Sequence, residues 1–137
     1  MDIRVFTATK AFINFNGKIL ILREAITYED ASNVGKYHIP GGRIKPGQSW
    51  KENLQREIRE ESGLEIKISR PFFVNEWRPI VKGQQWQIVG IFFECFADSD
   101  KIVLSEEHDD FLWIDPKDYK KYNLIKDLYE VFEAYLN

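Results

Sequence analysis

The sequence predicts a mixed α/β domain, and three observations carry that prediction. Ser49 to Leu64 holds both the start and the stop signals of one helix. Leu124, Leu128, Val131, Phe132 and Tyr135 recur at the spacing of a second, over about residues 123–136. The stretches between them read as β-strands punctuated by tight turns.

In chain order, TKAFINF and KILILR form two strands joined by Asn16-Gly17, a favoured two-residue hairpin turn. Phe12, Ile13 and Ile19 to Leu22 are expected in the core. Arg23 ends the second strand, where it can meet a phosphate or simply solvent. Glu24 to Lys36 has no clean period and is long for a connection, which marks it as a candidate functional loop; Tyr28 would be its substrate-closing residue. Tyr37 to Pro40 reads as a short strand delivering Gly41 and Gly42. No cysteine or second histidine lies near His38 in sequence, so a metal role is not assigned to it.

Ser49 and Glu52 make a capping box, so the first helix begins near Trp50. Gly63 can take the left-handed conformation and Leu64 the apolar cap contact, so it ends near Ser62. Trp50, Leu54 and Ile58 form the stripe expected against a core. Beyond it, Glu65 to Arg78 alternates moderately. Lys82-Gly83 reads as a hairpin turn, and Gln84 to Ala97 as a long strand. That strand carries Val89, Ile91, Phe93 and Cys95 on one face and Ile88, Phe92 and Phe96 on the other, both expected to be buried. Cys95 is therefore read as a core residue. Trp77 and Trp86 flank the hairpin and could stack on a nucleobase as well as on their neighbours. Ser105 to Asp110 is an acidic loop around His108, and Phe111 to Ile114 a strand. Asp115-Pro116 can cap a short helical turn.

Composition limits what such a domain does. The chain has 137 residues, expected to form one domain over 1–137, with a net charge of −3 and a pI near 5.5. An acidic chain is a poor sequence-independent nucleic-acid binder, so no stable nucleic-acid complex is expected. One cysteine cannot form an internal disulfide or a Cys-rich zinc site. There is no long apolar run and no charged-then-apolar leader, so no membrane association and a cytoplasmic location are expected.

The chemistry lies on the first helix, opposite its apolar stripe. Glu57, Glu60 and Glu61 are spaced i, i+3, i+4, so they share about one turn. Like charges at that spacing cost a few tenths of a kcal/mol. Acids in the last turn also face the negative helix end, at roughly 0.3–1 kcal/mol more. A divalent cation reverses both effects, and an all-oxygen donor set favours Mg²⁺ or Mn²⁺ over zinc. An acidic solvated face is the other reading of these three residues taken alone. Pro40-Gly41-Gly42 would add bare backbone, and a carbonyl ligand, beside them. Arg43 and Lys45 in the following loop suit a substrate phosphate as well as solvent.

From Gly42 to Leu64 the stretch resembles the Nudix box, G-x5-E-x7-R-E-U-x-E-E-x-G-U, where U is aliphatic. Gly42, Arg56, Glu57, Ile58, Glu60, Glu61, Gly63 and Leu64 all fall in register across 23 residues. One position departs: Gln48 stands where the pattern has its first glutamate. Lys45 stands where many members have an acid.

The resemblance implies a Nudix α/β/α sandwich, with a mixed central sheet between the box helix and the C-terminal helix. It implies metal-dependent hydrolysis of a nucleoside diphosphate linked to another group X. On that resemblance Glu57, Glu60, Glu61 and the Gly41 or Gly42 carbonyl would be metal ligands, and Arg56 would orient the glutamates. Glu107, with Glu106 next, would be the loop glutamate that binds metal or activates water. Arg43, Arg23 and Trp77 would contact substrate. The leading reading is a pyrophosphohydrolase of a nucleoside triphosphate or modified nucleotide. A non-catalytic nucleotide-binding or regulatory module is supported by Gln48 and Lys45. An isoprenoid diphosphate isomerase would need a catalytic cysteine, and Cys95 reads as core. ADP-ribose and dinucleoside polyphosphates stay open as substrates, the former through Pro79, sixteen residues after Gly63. A homodimer through an exposed hairpin also stays open.

Overall fold

The computed structural model describes residues 2–25 and 33–137. The strands are β1 (Arg4–Phe15), β2 (Lys18–Glu24), β3 (Tyr37–His38), β4 (Gly41–Arg43), β5 (Ile66–Trp77), β6 (Ile80–Val81), β7 (Gln84–Ala97) and β8 (His108–Ile114). The helices are α1 (Trp50–Ser62), a 3₁₀ helix (Pro116–Lys121) and α2 (Leu128–Leu136). No described helix is long and apolar enough to cross a membrane.

The sheet is mixed and runs β3-β2-β1-β7-β5, with β8 on β2, β4 on β1 and β6 on β7. Its spine is the parallel pairing of β1 with β7, from Arg4↔Trp86 to Asn14↔Phe96. Side chains alternate across it, as a strand requires. Phe12, Phe92, Leu128, Val131 and Phe132 meet on one face, and Ala11, Ile13, Leu54, Ile58, Phe93 and Cys95 on the other. Each helix thus covers one side, giving the α/β/α sandwich. Leu54 and Ile58 are fully enclosed, which stabilises α1 on the sheet by about 1.5–3 kcal/mol for each side chain.

The local signals behave as their chemistry dictates. Ser49 accepts from the Glu52 N–H and Gly63 closes α1 at φ 76°. Both two-residue turns have positive φ throughout: Asn16 and Gly17 at 51° and 84°, Lys82 and Gly83 at 50° and 76°.

Four expectations need correction. The last helix starts at Leu128, not near 123, because Tyr37 of β3 claims the backbone ahead of it: the Tyr37 N–H donates to Asn123 O and the Ile125 N–H to Tyr37 O. Leu124 is buried there as an isolated bridge to Tyr37, so its apolar spacing reflected the core and not a helix. Phe96, expected in the core, is 43% exposed near the end of β7. Trp50 is 42% exposed at the helix start, with the rest of its ring stacked on Phe93 at 4.7 Å and 10°. Finally, β8 begins at His108, three residues before Phe111, because Glu24 and Arg23 continue the pairing around a bulge.

Candidate active site

β1 and β2 pair only next to their turn, at Asn14↔Ile19 and Phe15↔Lys18. They then part. β1 takes β4 as its neighbour, Lys10 opposite Gly41, while β2 takes β3, Leu22 opposite His38. The segment from Tyr37 to Arg43 therefore bridges a fork in the sheet, fixed by the Ala11 N–H donating to Pro40 O at 2.9 Å. The acidic end of α1 lies against this bridge.

Two glycines make the approach possible. Gly41 has φ 138°, and a Cβ there would stand 2.2 Å from Thr9 O and 2.8 Å from Lys10 Cα. Its N–H donates to Glu61 Oε2 at 2.9 Å. At Gly42 a Cβ would come within 3.2 Å of the Glu57 carboxylate. Glu57 and Glu61 thus reach the same bare backbone from adjacent turns of one helix.

Arg56 holds the helix side of the site. Its Nη1 donates to Glu60 at 2.9 Å, and its Nη2 to Asn53 Oδ1 at 2.8 Å and Glu57 Oε1 at 3.3 Å. The hydrogen bond to Glu60 is the largest cause of its raised pKa. Asn53 in turn donates to Arg43 O at 3.2 Å and is only 1% exposed. It therefore links α1 to β4. The sequence reading passed over Asn53, although its position four residues before Glu57 puts it on the carboxylate face.

The electrostatics are those of charge forced into a confined space. Burial pushes the Glu61 carboxyl up to about 8; Lys10 and the Gly41 N–H pull it down, and Glu57 and Glu107 push it further up. Glu107 has a largely exposed side chain, but partial desolvation of its carboxyl, then Glu57 and Glu60, raise its pKa. Burial lowers the Lys10 pKa against the attraction of Glu61, Glu24, Glu57 and Glu107.

Across the fork, His38 and His108 face each other with Nε2 atoms 2.8 Å apart and rings stacked at 4.9 Å. Burial, then Lys10, lowers both pKa values, that of His108 to about 4. The second histidine absent from the neighbouring sequence of His38 is supplied by β8, seventy residues away.

The other expected site residues are placed as follows. Glu60 is turned towards Arg56, with its side chain 58% exposed. Arg23 is paired with Asp109 at 2.6 Å. Arg43 lies over Phe6 and Trp86, 4.4 Å from each ring. Trp77 packs over Gly90, where a Cβ would be 2.5 Å from its ring, and beside Phe92. Gln48 and Lys45 are exposed in the loop before α1. Tyr28 lies outside the described residues. An open cavity of about 590 Å³ on the α1 side is lined by Thr9, Ile44, Trp50, Ile91 and Phe93 among others, and by none of the glutamates.

No three His, Cys, Asp or Glu side chains among the described residues are closed around a common point. The donors that do stand together, Glu57 and Glu61 against the Gly41-Gly42 backbone, are all oxygen, and the Cβ-free approach at Gly42 leaves a carboxylate beside main chain. That set fits a hard divalent cation.

Two carboxylates held against bare backbone at one side of an α/β/α sandwich define a protein able to seat a hard cation. The chain belongs to the Nudix hydrolase family: the NUDIX domain family model matches residues 6–135. It is similar to the nucleoside triphosphatase NudI of Escherichia fergusonii, at 33% identity over 97 residues, 66% of this chain and 69% of that protein. In fold it is similar to the MutT protein of Methanosarcina mazei, at 24% identity and a TM-score of 0.78 over 100% of this chain and 99% of that one. The MutT Nudix hydrolase of Burkholderia pseudomallei gives 21% identity and 0.78 over 96% and 98%. Enzymes of this family generally use a divalent metal ion.

Proposed function

We propose that this chain is a pyrophosphohydrolase that cleaves the diphosphate bridge of a nucleotide, with nucleoside triphosphates as the first substrate class. The observation that carries the reading is the placement of Glu57 and Glu61 against Gly41 and Gly42. The resemblance to NudI, a nucleoside triphosphatase by name, supports the substrate class.

Glu57, Glu61 and the Gly42 carbonyl would hold Mg²⁺ or Mn²⁺, with Glu60 and Glu107 completing the set. When bound, the ion neutralises phosphate charge and lowers the pKa of water. Arg56 keeps Glu57 and Glu60 oriented through its hydrogen bonds. Glu107, across from α1, is the proposed base that takes the proton from the attacking water. Arg43 is proposed to meet a substrate phosphate by leaving its stack on Phe6 and Trp86, and Trp77 to contact the base. Arg23 would act on substrate only by exchanging Asp109 for phosphate. We further propose a single-domain cytoplasmic enzyme acting on small molecules, with the β6–β7 hairpin available for a homodimer.

The test is release of phosphate or pyrophosphate from nucleoside triphosphates, oxidised triphosphates, dinucleoside polyphosphates and ADP-ribose, with Mg²⁺ or with chelator. Turnover of a triphosphate that needs both metal and Glu57 supports the reading. Nucleotide binding with no turnover across the panel replaces it by a regulatory module, for which the uncharged Gln48 is the sequence feature.

A further inference from the structure

Lys10 is out of place as a strand residue. Lys10 is half-buried beside Ala8, which is 2% exposed, and an ammonium withdrawn from water is costly unless carboxylates lie near it. Here they do. Gly41, opposite Lys10, donates its N–H to Glu61 at 2.9 Å, which brings that carboxylate to the strand beside Lys10, and the charges of Glu24, Glu57 and Glu107, from β2, α1 and the turn before β8, act on the ammonium with it. The stem has room because Gly41 opposite carries no side chain: a Cβ there would be 3.1 Å from Lys10 Cδ. The imidazoles of His38 and His108, on the remaining side, also feel its charge. Lys10 is thus a positive charge built into the same carboxylate cluster that would hold the metal.

We propose that Lys10 is a resident cation that takes up part of the carboxylate charge at this site, so that the enzyme holds divalent ions more weakly, or holds fewer of them, than the same glutamates would alone. This inference rests on the metal site assigned above. The cation and the ion compete for one set of oxygens. Removing the ammonium leaves the carboxylates to the ion. Lys10 is on this account a positioning residue: it offsets the charge of the carboxylates that the ion would use, without itself touching substrate.

The experiment is a titration of the protein with Mn²⁺ alone, with no nucleotide, followed by the electron paramagnetic resonance of the free ion. Wild type, Lys10→Met, Lys10→Gln, Lys10→Arg and Glu57→Gln are compared, each checked for folding by its thermal transition. Lys10→Met and Lys10→Gln are expected to bind Mn²⁺ about tenfold more tightly or to take up one further ion per chain, the scale of removing one nearby unit charge. Lys10→Arg keeps the charge and is expected within about twofold of wild type. The proposal is overturned if whichever neutral variant folds binds Mn²⁺ no more tightly and in no greater number than wild type. Glu57→Gln separates the two readings. If it loses Mn²⁺ while the neutral variants do not tighten, only the role of Lys10 falls. If wild type binds no Mn²⁺, or Glu57→Gln binds it equally well, the metal site itself falls and this inference with it.

Discussion

Helix α1 and the fork between β1 and β2 build the same site by opposite means. On α1 every candidate group is local: Asn53, Arg56, Glu57, Glu60 and Glu61 are ordered by helical geometry and by Arg56, which donates to three of the others. In the fork the groups come from far apart in the chain. Lys10, Glu24, His38, Glu107 and His108 meet only because two strands part and a third segment bridges them. The helix supplies donors on a rigid frame; the fork supplies the backbone they close on and the charge that offsets them.

Breaking the helix half should have the largest effect. Glu57→Gln is expected to lower turnover by about a hundredfold or more, beyond what loss of an outer partner costs a metal site, with the thermal transition little changed. Assays of turnover against Mg²⁺ concentration check it. Breaking the fork half comes next. Gly41→Ala forces a side chain onto Thr9 O at φ 138° and is expected to cost at least about 1–3 kcal/mol of stability, seen as a lower midpoint in urea. A third substitution sharpens the contrast. Arg56→Met should cost about tenfold in turnover or metal affinity by freeing Glu57 and Glu60 while leaving the fold intact, measured by kinetics beside circular dichroism. The smallest effect is expected at Gln48→Glu. That residue is exposed in the loop, so activity should stay equal or improve, and a large fall in turnover would show that Gln48 is functional as it stands.

The same division explains what was legible in the sequence. The caps of α1, Leu54 and Ile58 of its apolar stripe, and both two-residue turns are written within a few residues of one another, and the structure forms them as read. The start of α2 was not legible, because Leu124 satisfies helical spacing while its neighbours Asn123 and Ile125 are bound to Tyr37, some 86 residues earlier. His38 looked solitary for the same reason. Its partner enters from β8. Lys10 was read only as part of a strand, since nothing nearby in sequence announces the four carboxylates whose charge acts on it. Asn53 could have been found locally and was masked by the more evident charges beside it.

The parallel pairing of β1 with β7 has a consequence for how this chain reaches its native state. Residues 4–14 must wait for residues 86–96 before the central ladder can close, so the sheet depends on contacts with a large loop-closure cost and should assemble slowly for a domain of this size. During synthesis the early hairpin Asn14–Lys18 can form at once, but the first strand stays without its main partner until residues 86–96 have been made. Until then the edge of β1 is open, and that is when this protein is most exposed to misassembly.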